Sequence, residues 1–209
     1  MIKNIILDVG MVLVDFCWAD LLEKLGITGE DFTAVADATV RTDDWNEYDR
    51  STKTDEELLL ALKANAPQYA PQIQLFWDHM AEMIRQYPYA KPWITALKKK
   101  GYQVYILSNY SRRTYELTRQ EGLDFLPLTD GAVFSFETGY IKPEKEIYHI
   151  LMDKYNLKPE ECVFIDDNAP NLAYPKEIGW STVLFQSFAQ VREDLAALGV
   201  CAEEISLCG

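Results

Sequence analysis

Apolar residues follow two spacings along the chain, and these divide the sequence into two kinds of region. Short continuous apolar runs, rich in β-branched residues, occur at positions 5–7, 104–107, 163–165 and 183–185. Runs of this length without helical spacing are typical of strands that are buried on both faces of a sheet. A further short strand is predicted at 132–135. The sequence therefore predicts a sheet whose strands are widely separated along the chain.

Helical spacing fills the intervals between the later strands. Pro92 suits the first turn of a helix, and the lysines at 98–100, before Gly101, complement the dipole at the C-terminal end of that helix. Further helices are predicted at 112–121 and 144–155. Because helices and strands alternate here, the pattern predicts an α/β fold with a parallel, doubly wound sheet.

The segment between the first two strands has a different character, because helical spacing dominates it from about position 16 to 87. Apolar residues recur with helical spacing at 19–25, and capping-box patterns predict helix starts at Thr28 and Thr54. Another helix is predicted from about 71 to 85. We found no strand-like alternation in this segment and predict that it is entirely helical.

This helical segment is too large for a loop, and its position suggests a lid over one edge of the sheet. We therefore predict two structural units. An α/β core comprises residues 1–15 and 90–209, and a helical cap comprises residues 16–89. Residues 201–209 give no readable pattern.

Charge and hydropathy exclude several classes of function. The 209 residues carry a formal net charge of −13, which disfavours nucleic acid and anionic membrane surfaces as partners. No apolar run approaches the ~18 residues that a membrane span needs. The first strand begins close to Met1, which leaves no room for a signal peptide. The oligomeric state cannot be inferred from the sequence.

The cysteines form neither a C-x-x-C pair nor a cluster with zinc-ligand spacing. They are Cys17, Cys162, Cys201 and Cys208. Free thiols in a reducing compartment explain this pattern best, so we predict a cytoplasmic protein.

Polar side chains follow three of the predicted strands at the point where each strand ends. Parallel strands bring their carboxyl ends to one edge of the sheet, where ligands bind in open α/β folds. Grouped carboxylates repel one another unless a cation is present, and hard oxygen ligands suit Mg²⁺. Hydroxyl, amide and ammonium groups hold phosphoryl oxygens. The residues concerned are Asp8, Ser108, Asn109, Asp166 and Asp167, with Lys142 in a loop of the same α/β part.

Four short motifs, in this order and spacing, resemble those of the haloacid dehalogenase (HAD) superfamily. They are Asp8-Val9-Gly10-Met11-Val12, Leu107-Ser108-Asn109, Lys142-Pro143-Glu144 and Ile165-Asp166-Asp167-Asn168. The resemblance covers nearly the whole chain. It is strongest to bacterial sugar-phosphate phosphatases, including the glucose-1-phosphate type, and to the phosphatase domain of soluble epoxide hydrolases.

The resemblance implies a Rossmann-like core with a helical cap inserted after the first strand, and a Mg²⁺-dependent phosphatase of small phosphorylated metabolites, sugar phosphates first. It implies that Asp8 is the nucleophile, which forms an aspartyl-phosphate. Ser108, Asn109 and Lys142 would bind the transferred phosphoryl group, and Lys142 would also assist catalysis. The implied Mg²⁺ ligands are Asp8, the Gly10 carbonyl, Asp166 and Asp167.

One position departs from the family pattern. The family usually has a second Asp two residues after the nucleophile, as general acid and base, and this chain has Gly10 there. Such assistance is typically worth ~10²–10⁴ in rate, so turnover is expected to be slow or confined to good leaving groups. The glucose-1-phosphate-type relatives also carry Gly there and are active. Asp15 is the nearest carboxylate in the sequence, although a structural role in the turn towards the cap is the better interpretation.

Two other functions remain open at this stage. The same superfamily contains 2-haloacid dehalogenases, which lack the second Asp and need no metal, but the acid pair at 166–167 is not expected in them. The other alternative is a domain that binds phosphorylated ligands or a protein without turnover, and only Gly10 supports it.

Asn168 and Asn171 are candidates for orienting Asp167, and Asn168 is equally suited to be a helix N-cap. His79 and His149 have no partner at ligand spacing and are expected to be surface or packing residues. Aromatic residues and one cation in the cap are candidates for contact with a sugar ring, although packing explains each one singly. They are Trp18, which opens the cap together with Cys17, and Trp45, Tyr48 and Arg50, which lie in its polar connection.

Overall fold

The computed structural model describes residues 1–200, and these form seven strands. In chain order the strands are β1 (Asn4–Leu7), β2 (Val14–Phe16), β3 (Ile84–Gln86), β4 (Gln103–Ser108), β5 (Gly131–Phe134), β6 (Cys162–Asp166) and β7 (Ser181–Leu184). Residues 201–209, which give no readable pattern in the sequence, lie outside the described part of the chain.

Helices occupy the intervals between the strands. They are α1 (Trp18–Lys24), α2 (Gly29–Ala38), α3 (Asp44–Arg50), α4 (Asp55–Asn65), α5 (Ala70–Asp78), α6 (Ala90–Lys99), α7 (Arg112–Thr118), α8 (Ser135–Thr138), α9 (Lys145–Tyr155), α10 (Ala169–Glu177) and α11 (Phe188–Ala197). Short 3₁₀ turns join some of them, at Pro67–Tyr69, Met80–Met83, Leu126–Leu128 and Pro159–Glu161. Within residues 1–200, no helix is both long enough and apolar enough to cross a membrane.

Five strands form one parallel sheet in the order β5-β4-β1-β6-β7, which confirms the predicted α/β class and its Rossmann-like core. The register places Leu7 of β1 beside Ile106 of β4 and beside Ile165 of β6. The residues that follow these three positions therefore emerge at the same edge of the sheet, as predicted from the strand ends.

The alternation of side chains along β1 separates two hydrophobic layers, one on each face of the sheet. Ile5 and Leu7 pack with Trp93 of α6 on one face, and Ile6 packs with Phe164 and Tyr148 on the other. All six side chains are fully buried. Both faces of the central strand are covered, which explains its continuous apolar run.

The cap has a hydrophobic cluster of its own, built from residues between Leu21 and Met83. The predicted capping box at Thr54 is confirmed, because its hydroxyl accepts from the Glu57 backbone N–H and Glu57 bonds back to the Thr54 N–H. Thr28 precedes α2 as predicted, but its side chain makes no capping bond. The domain bounds of 16–89 for the cap and 1–15 with 90–209 for the core stay a prediction.

The prediction that the segment from 16 to 87 is entirely helical is wrong at both ends. β2 and β3 pair there as an antiparallel ribbon, with Asp15 opposite Arg85. The helix predicted from 71 to 85 ends at Asp78, and a 3₁₀ turn and β3 follow it. Each ribbon strand is only three residues long, so neither one shows a recognisable alternation in the sequence.

Candidate active site

Two carboxylates contact one ammonium group in the site. Asp8 follows β1, Asp166 ends β6, and Lys142 lies in the loop before α9. The Lys142 Nζ lies 2.8 Å from the Asp8 Oδ1 and 2.6 Å from the Asp166 Oδ2. All three side chains are buried. A buried ion pair is retained only when its geometry and hydrogen bonds offset the loss of hydration, and this arrangement satisfies both conditions.

Asp166 is the most completely bonded member of the group. Its Oδ1 accepts from the Asn168 backbone N–H at 2.8 Å and from the Asn171 side-chain amide at 3.0 Å. Its Oδ2 accepts from Lys142 and, at 3.1 Å, from the same amide of Asn171. A carboxylate has about four acceptor sites, and these contacts use all of them.

Asn171 therefore orients Asp166, and the expectation that it orients Asp167 is not met. The difference is one residue along the chain: Asp166 is the buried last residue of β6, while the exposed Asp167 follows the strand. Asn168 occupies the N-cap position of α10, but its side chain makes no capping bond.

Asp8 is fixed at the start of a tight turn after β1. Its backbone N–H donates to the Ile165 carbonyl at 3.0 Å, and its Oδ1 accepts from the Val9 N–H at 2.7 Å. The Val9 carbonyl then accepts from three following N–H groups, those of residues 12–14. The left-handed residue of this turn is Met11 (φ 57°), whereas Gly10 does not have a positive φ. Asp8 Oδ2 has no hydrogen-bond or ion-pair partner among the described residues.

Burial dominates the electrostatics of the site. Loss of hydration raises the pKa of Asp8 to about 7; Lys142 lowers it, and the nearby Asp166 and Asp167 raise it further. Burial alone would lower the pKa of Lys142, but the charges of Asp8 and Asp166 outweigh this effect and raise it. The pKa of Asp167 is also raised, by burial and then by Asp166. The site therefore holds excess negative charge, and burial of this charge destabilises the ionised form of the carboxyl groups.

Ser108 and Asn109 end β4 beside these acids, as the register requires. Asn109 joins the Lys142 loop to the sheet through two hydrogen bonds: its Nδ2 donates to the Lys142 carbonyl at 3.0 Å, and its Oδ1 accepts from the Lys142 N–H at 2.7 Å. Ser108 is buried, and Asn109 lines the cavity described below. One clear task of Asn109 is therefore to hold Lys142 in place.

Three carboxylates meet at this edge of the sheet and are close enough to share a cation. Ligand oxygens of Asp8, Asp166 and Asp167 all lie within 4.8 Å of one another. Gly10 lies next to them on the wall of the same cavity. The donor set is made of hard oxygen atoms, which is the chemistry that Mg²⁺ prefers.

A cavity of about 190 Å³ opens above these acids, between the core and the cap. Asp8, Gly10, Asn109 and Asp167 line its core side. The cap side and the connecting ribbon are largely apolar, and they contribute Val14, Phe16, Trp45, Tyr48, Met83 and Ile84. No lysine or arginine is among the described residues that line this cavity.

The predicted cap contacts divide into two groups. Trp45 and Tyr48 line the cavity, as a contact with substrate would require. Arg50 does not: its guanidinium binds Glu144 of the core in a bidentate pair, at 2.7 and 2.5 Å, and also donates to the Gly139 carbonyl at 3.1 Å. Arg50 therefore links α3 of the cap to the core.

Cys17 and Trp18 also lie away from the cavity wall. The Cys17 thiol donates to the Met83 carbonyl at 3.0 Å, and Trp18 packs within the cap cluster. The histidines are outside the site as expected: His79 pairs with Glu82 and His149 with Tyr174.

One cavity residue was not identified from the sequence. Asp49 of α3 lines the wall, and its carboxylate has no hydrogen-bond or ion-pair partner among the described residues. The pKa of Asp49 is raised to about 7, by burial first and then by the negative charge of Asp8, against the opposing effect of Lys142. The sequence does place Asp49 on one helix face with Trp45 and Tyr48, at the spacing i, i+3 and i+4, and this spacing could have identified it.

Asp15 does not enter the cavity. Its neighbours in β2, Val14 and Phe16, both line the wall, and alternate side chains of a strand point to opposite sides. Asp15 therefore belongs to the connecting ribbon, which agrees with the structural role expected for it.

Comparison with known proteins places this geometry in a family. A model of the haloacid dehalogenase-like hydrolases matches residues 6–179. Among curated relatives, the mouse bifunctional epoxide hydrolase 2 is 32% identical over 146 residues, which are 65% of this chain and 25% of that protein. The chain thus corresponds to only a quarter of the mouse enzyme.

Two matches from Bacteroides thetaiotaomicron extend over nearly the whole length of the matched chain. Its D-ribitol-5-phosphate phosphatase is 25% identical over 219 residues, which cover 95% of this chain and 98% of that one. A HAD family enzyme solved in complex with magnesium and inorganic phosphate superposes with a TM-score of 0.69 at 20% identity, over 91% of this chain and 99% of that one. At this identity the structural match supports the fold.

Proposed function

Since the chain belongs to the haloacid dehalogenase-like hydrolases, we propose that it is a Mg²⁺-dependent phosphatase of small phosphorylated metabolites. The observation that carries the proposal is the joint placement of Asp8, Lys142 and Asp166, with Asp8 and the exposed Asp167 on the wall of one cavity. This arrangement supplies a nucleophile, a fixed positive charge and a cation site within a few ångströms of each other.

The donor set supports Mg²⁺ as the cofactor. The Asp8 Oδ2 has no donor among the described residues, and the Asp167 carboxylate is exposed beside it. Gly10, whose carbonyl we propose as a third ligand, lies on the same wall. Asp166 is close enough to ligate, but each of its acceptor sites already receives an N–H. We therefore assign to Asp166 first the task of holding Lys142, with any ligand role depending on release of one of these bonds. Bound Mg²⁺ would neutralise the repulsion between the acids and the phosphoryl oxygens.

In the proposed reaction, an Asp8 oxygen attacks phosphorus in line with the leaving oxygen, and an aspartyl-phosphate forms on Asp8. Lys142, Ser108 and Asn109 spread the charge of the other phosphoryl oxygens. Because Asn109 joins the Lys142 loop to the end of β4, the positions of these three groups are fixed relative to one another. Water then hydrolyses the aspartyl-phosphate and restores the carboxylate.

The apolar wall of the cavity supports a substrate whose organic part has an apolar face. Trp45 and Tyr48 offer aromatic surfaces of the kind that stack on sugar rings, and a similar chain is a D-ribitol-5-phosphate phosphatase. Sugar and polyol monophosphates are accordingly the first class to test. A second phosphate would face this wall without a cation, so monophosphates should be preferred over bisphosphates. We propose that the enzyme acts in the cytoplasm and has no nucleic acid as a partner.

The acid group also separates the proposal from the two alternatives. Dehalogenation of 2-haloacids needs no metal, whereas Asp167 adds an exposed carboxylate beside Asp8. A binding domain without turnover needs no nucleophile. In this chain the Asp8 Oδ2 has no partner among the described residues, so it is available for attack on phosphorus.

The test is release of inorganic phosphate from p-nitrophenyl phosphate and from a panel of sugar and polyol phosphates, with Mg²⁺ and with EDTA. We expect release that requires Mg²⁺ and that falls by about 10⁴-fold or more in Asp8→Asn, because the amide cannot act as the nucleophile. Asp15→Asn, a matched change just outside the cavity, should retain activity.

Two results would contradict the proposal. Phosphate release by Asp8→Asn at the wild-type rate would remove the nucleophile from the mechanism. Absence of release across the panel, from a folded protein that binds Mg²⁺, would favour a binding domain, and a chloride-release assay with 2-haloacids would then test the dehalogenase.

A further inference from the structure

Among the described core side chains near Asp8, each acidic or basic group already has another task in the proposed site, and Asp167 is assigned to Mg²⁺. Lys142 is held between two carboxylates, and Asp166 is fully bonded. Gly10 has no side chain, although a Cβ added there would meet nothing within 4 Å. The missing acid is therefore not explained by lack of space at that position.

The cap provides a carboxyl group on the wall of the same cavity. We propose that Asp49 of α3 is the general acid and base of this enzyme, acting from the cap in place of the side chain that Gly10 lacks. This inference rests on the proposed phosphatase function. Asp49 is suited to the role because it lines the cavity with Asp8 and has no hydrogen-bond or ion-pair partner among the described residues.

The backbone of Asp49 is held in position by contacts on both sides. The Ser135 Oγ of the core donates to the Asp49 carbonyl at 2.6 Å. The next residue, Arg50, forms the bidentate pair with Glu144, and the Ser51 Oγ accepts from the Arg112 backbone N–H at 2.9 Å. One residue earlier, the Tyr48 hydroxyl lies 2.8 Å from the Thr114 Oγ1. Contacts of this density around one residue preorganise a catalytic group, whereas the side chain itself is left free.

The proton balance of the proposed cycle is complete. As the Asp8 oxygen bonds to phosphorus, the bond from phosphorus to the leaving oxygen breaks, and that oxygen keeps the electron pair and takes the proton of the Asp49 carboxyl. The Asp49 carboxylate then accepts a proton from water while the water oxygen bonds to phosphorus. The bond from phosphorus to Asp8 breaks, its electron pair returns to the Asp8 carboxylate, and inorganic phosphate leaves. The raised pKa of Asp49 suits exchange in both directions near neutral pH.

The experiment compares leaving groups that differ in their need for a proton. Nitrophenolate leaves without one, whereas the alkoxide of a sugar or polyol phosphate needs one. In the Mg²⁺-loaded enzyme, Asp49→Asn should lower kcat/KM for a polyol phosphate by about 10²–10⁴-fold, and kcat/KM for p-nitrophenyl phosphate by less than about fivefold. Because kcat/KM reports only the steps up to release of the alcohol, slower hydrolysis of the aspartyl-phosphate does not enter this comparison.

The second step has its own readout. With p-nitrophenyl phosphate, Asp49→Asn should show a burst of nitrophenolate followed by a slow steady state, because water attack on the aspartyl-phosphate has lost its base. Asp43→Asn is the matched control: it is the same change, before the start of α3, at an exposed residue that does not line this cavity.

A rescue variant tests proton transfer against a structural role. Gly10→Asp in the Asp49→Asn background should recover at least tenfold in kcat/KM for the polyol phosphate, since there is room for the new side chain. An equal loss for both substrates in Asp49→Asn, no loss for either one, or no recovery in the double variant would overturn the assignment. Lack of phosphate release by the wild-type enzyme would instead overturn the proposed function, and the role of Asp49 with it.

Discussion

The core side and the cap side of the cavity hold their acidic residues in opposite ways. On the core side, Asp8 and Asp166 share Lys142, and every acceptor site of Asp166 is used. On the cap side, Asp49 lies among aromatic side chains without a hydrogen-bond or ion-pair partner in the described chain. The core arrangement fixes charges in place, because any displacement would expose a buried charge without compensation. The cap arrangement leaves a carboxyl group free to gain and lose a proton.

The difference indicates that the core and the cap have separate roles in the proposed reaction. The core determines where phosphorus must lie, since the nucleophile and the fixed positive charge both belong to it. The cap determines what surrounds the leaving group and supplies its proton. Changes on the core side should therefore damage all substrates equally, whereas changes on the cap side should depend on the substrate.

The largest effect is expected when the fixed positive charge is removed. Lys142→Met leaves Asp8 and Asp166 buried without compensation, which should lower the free energy of unfolding by about 3–5 kcal/mol and abolish phosphate release for all substrates. Urea denaturation in EDTA checks the stability, with Lys145→Met at an exposed site as the control. A loss of less than about 1 kcal/mol would show that the network is not a structural unit.

A smaller effect is expected when the contact between Arg50 of the cap and Glu144 of the core is removed. Arg50→Met removes the bidentate pair with Glu144, which should lower the free energy of unfolding by about 1–2 kcal/mol and kcat/KM by about tenfold, because the cap no longer holds Asp49 over the site. Arg41→Met, which removes an exposed pair within the cap, is the control.

A double-mutant cycle makes this prediction specific. Glu144→Gln should add little to the loss already caused by Arg50→Met, since both changes remove the same contact. Full additivity of the two losses would show that Arg50 acts through some other contact.

A change in stability of similar size to that of Arg50→Met, but of opposite sign and confined to high pH, is expected from the unpaired cap acid. The pKa of Asp49 is about 7 in the folded protein, against ~3.9 for an unfolded Asp, so the folded state binds more protons between these values. Its contribution to stability is therefore greatest at low pH and declines as the pH rises to about 7.

Asp49→Asn should remove this decline and stabilise the metal-free protein by about 1–2 kcal/mol at pH 8, with no gain near pH 4. Thermal unfolding in EDTA across this range measures the effect, and Asp43→Asn provides the baseline. A variant less stable than the wild type at pH 8 would mean that the Asp49 carboxylate makes a favourable contact in the folded state.

The two sides also differ in how far the sequence predicts them. Asp8, Lys142 and Asp166 lie at strand ends or in a loop of a parallel sheet, and strand order alone brings such positions to one edge. Asp49 was missed because its importance depends on how the cap docks on the core, through contacts as distant in sequence as Arg50 with Glu144. The partner of Asn171 was predicted one residue away from the observed Asp166, since the end of β6 decides which acid is buried.

The ribbon formed by β2 and β3 has a consequence for how such a protein can diversify. Val14 pairs with Gln86 and Phe16 with Ile84, so the inserted segment leaves the core and returns to it at the same place. Joining the ends of an insertion that already meet adds little loop-closure entropy, whatever the length of the insertion. The segment between the two strands is therefore an exchangeable module. It can be replaced, lengthened or reduced to a tight turn while the five-stranded sheet keeps its register, so the substrate wall and the source of the leaving-group proton can change while Asp8 and Lys142 stay in place.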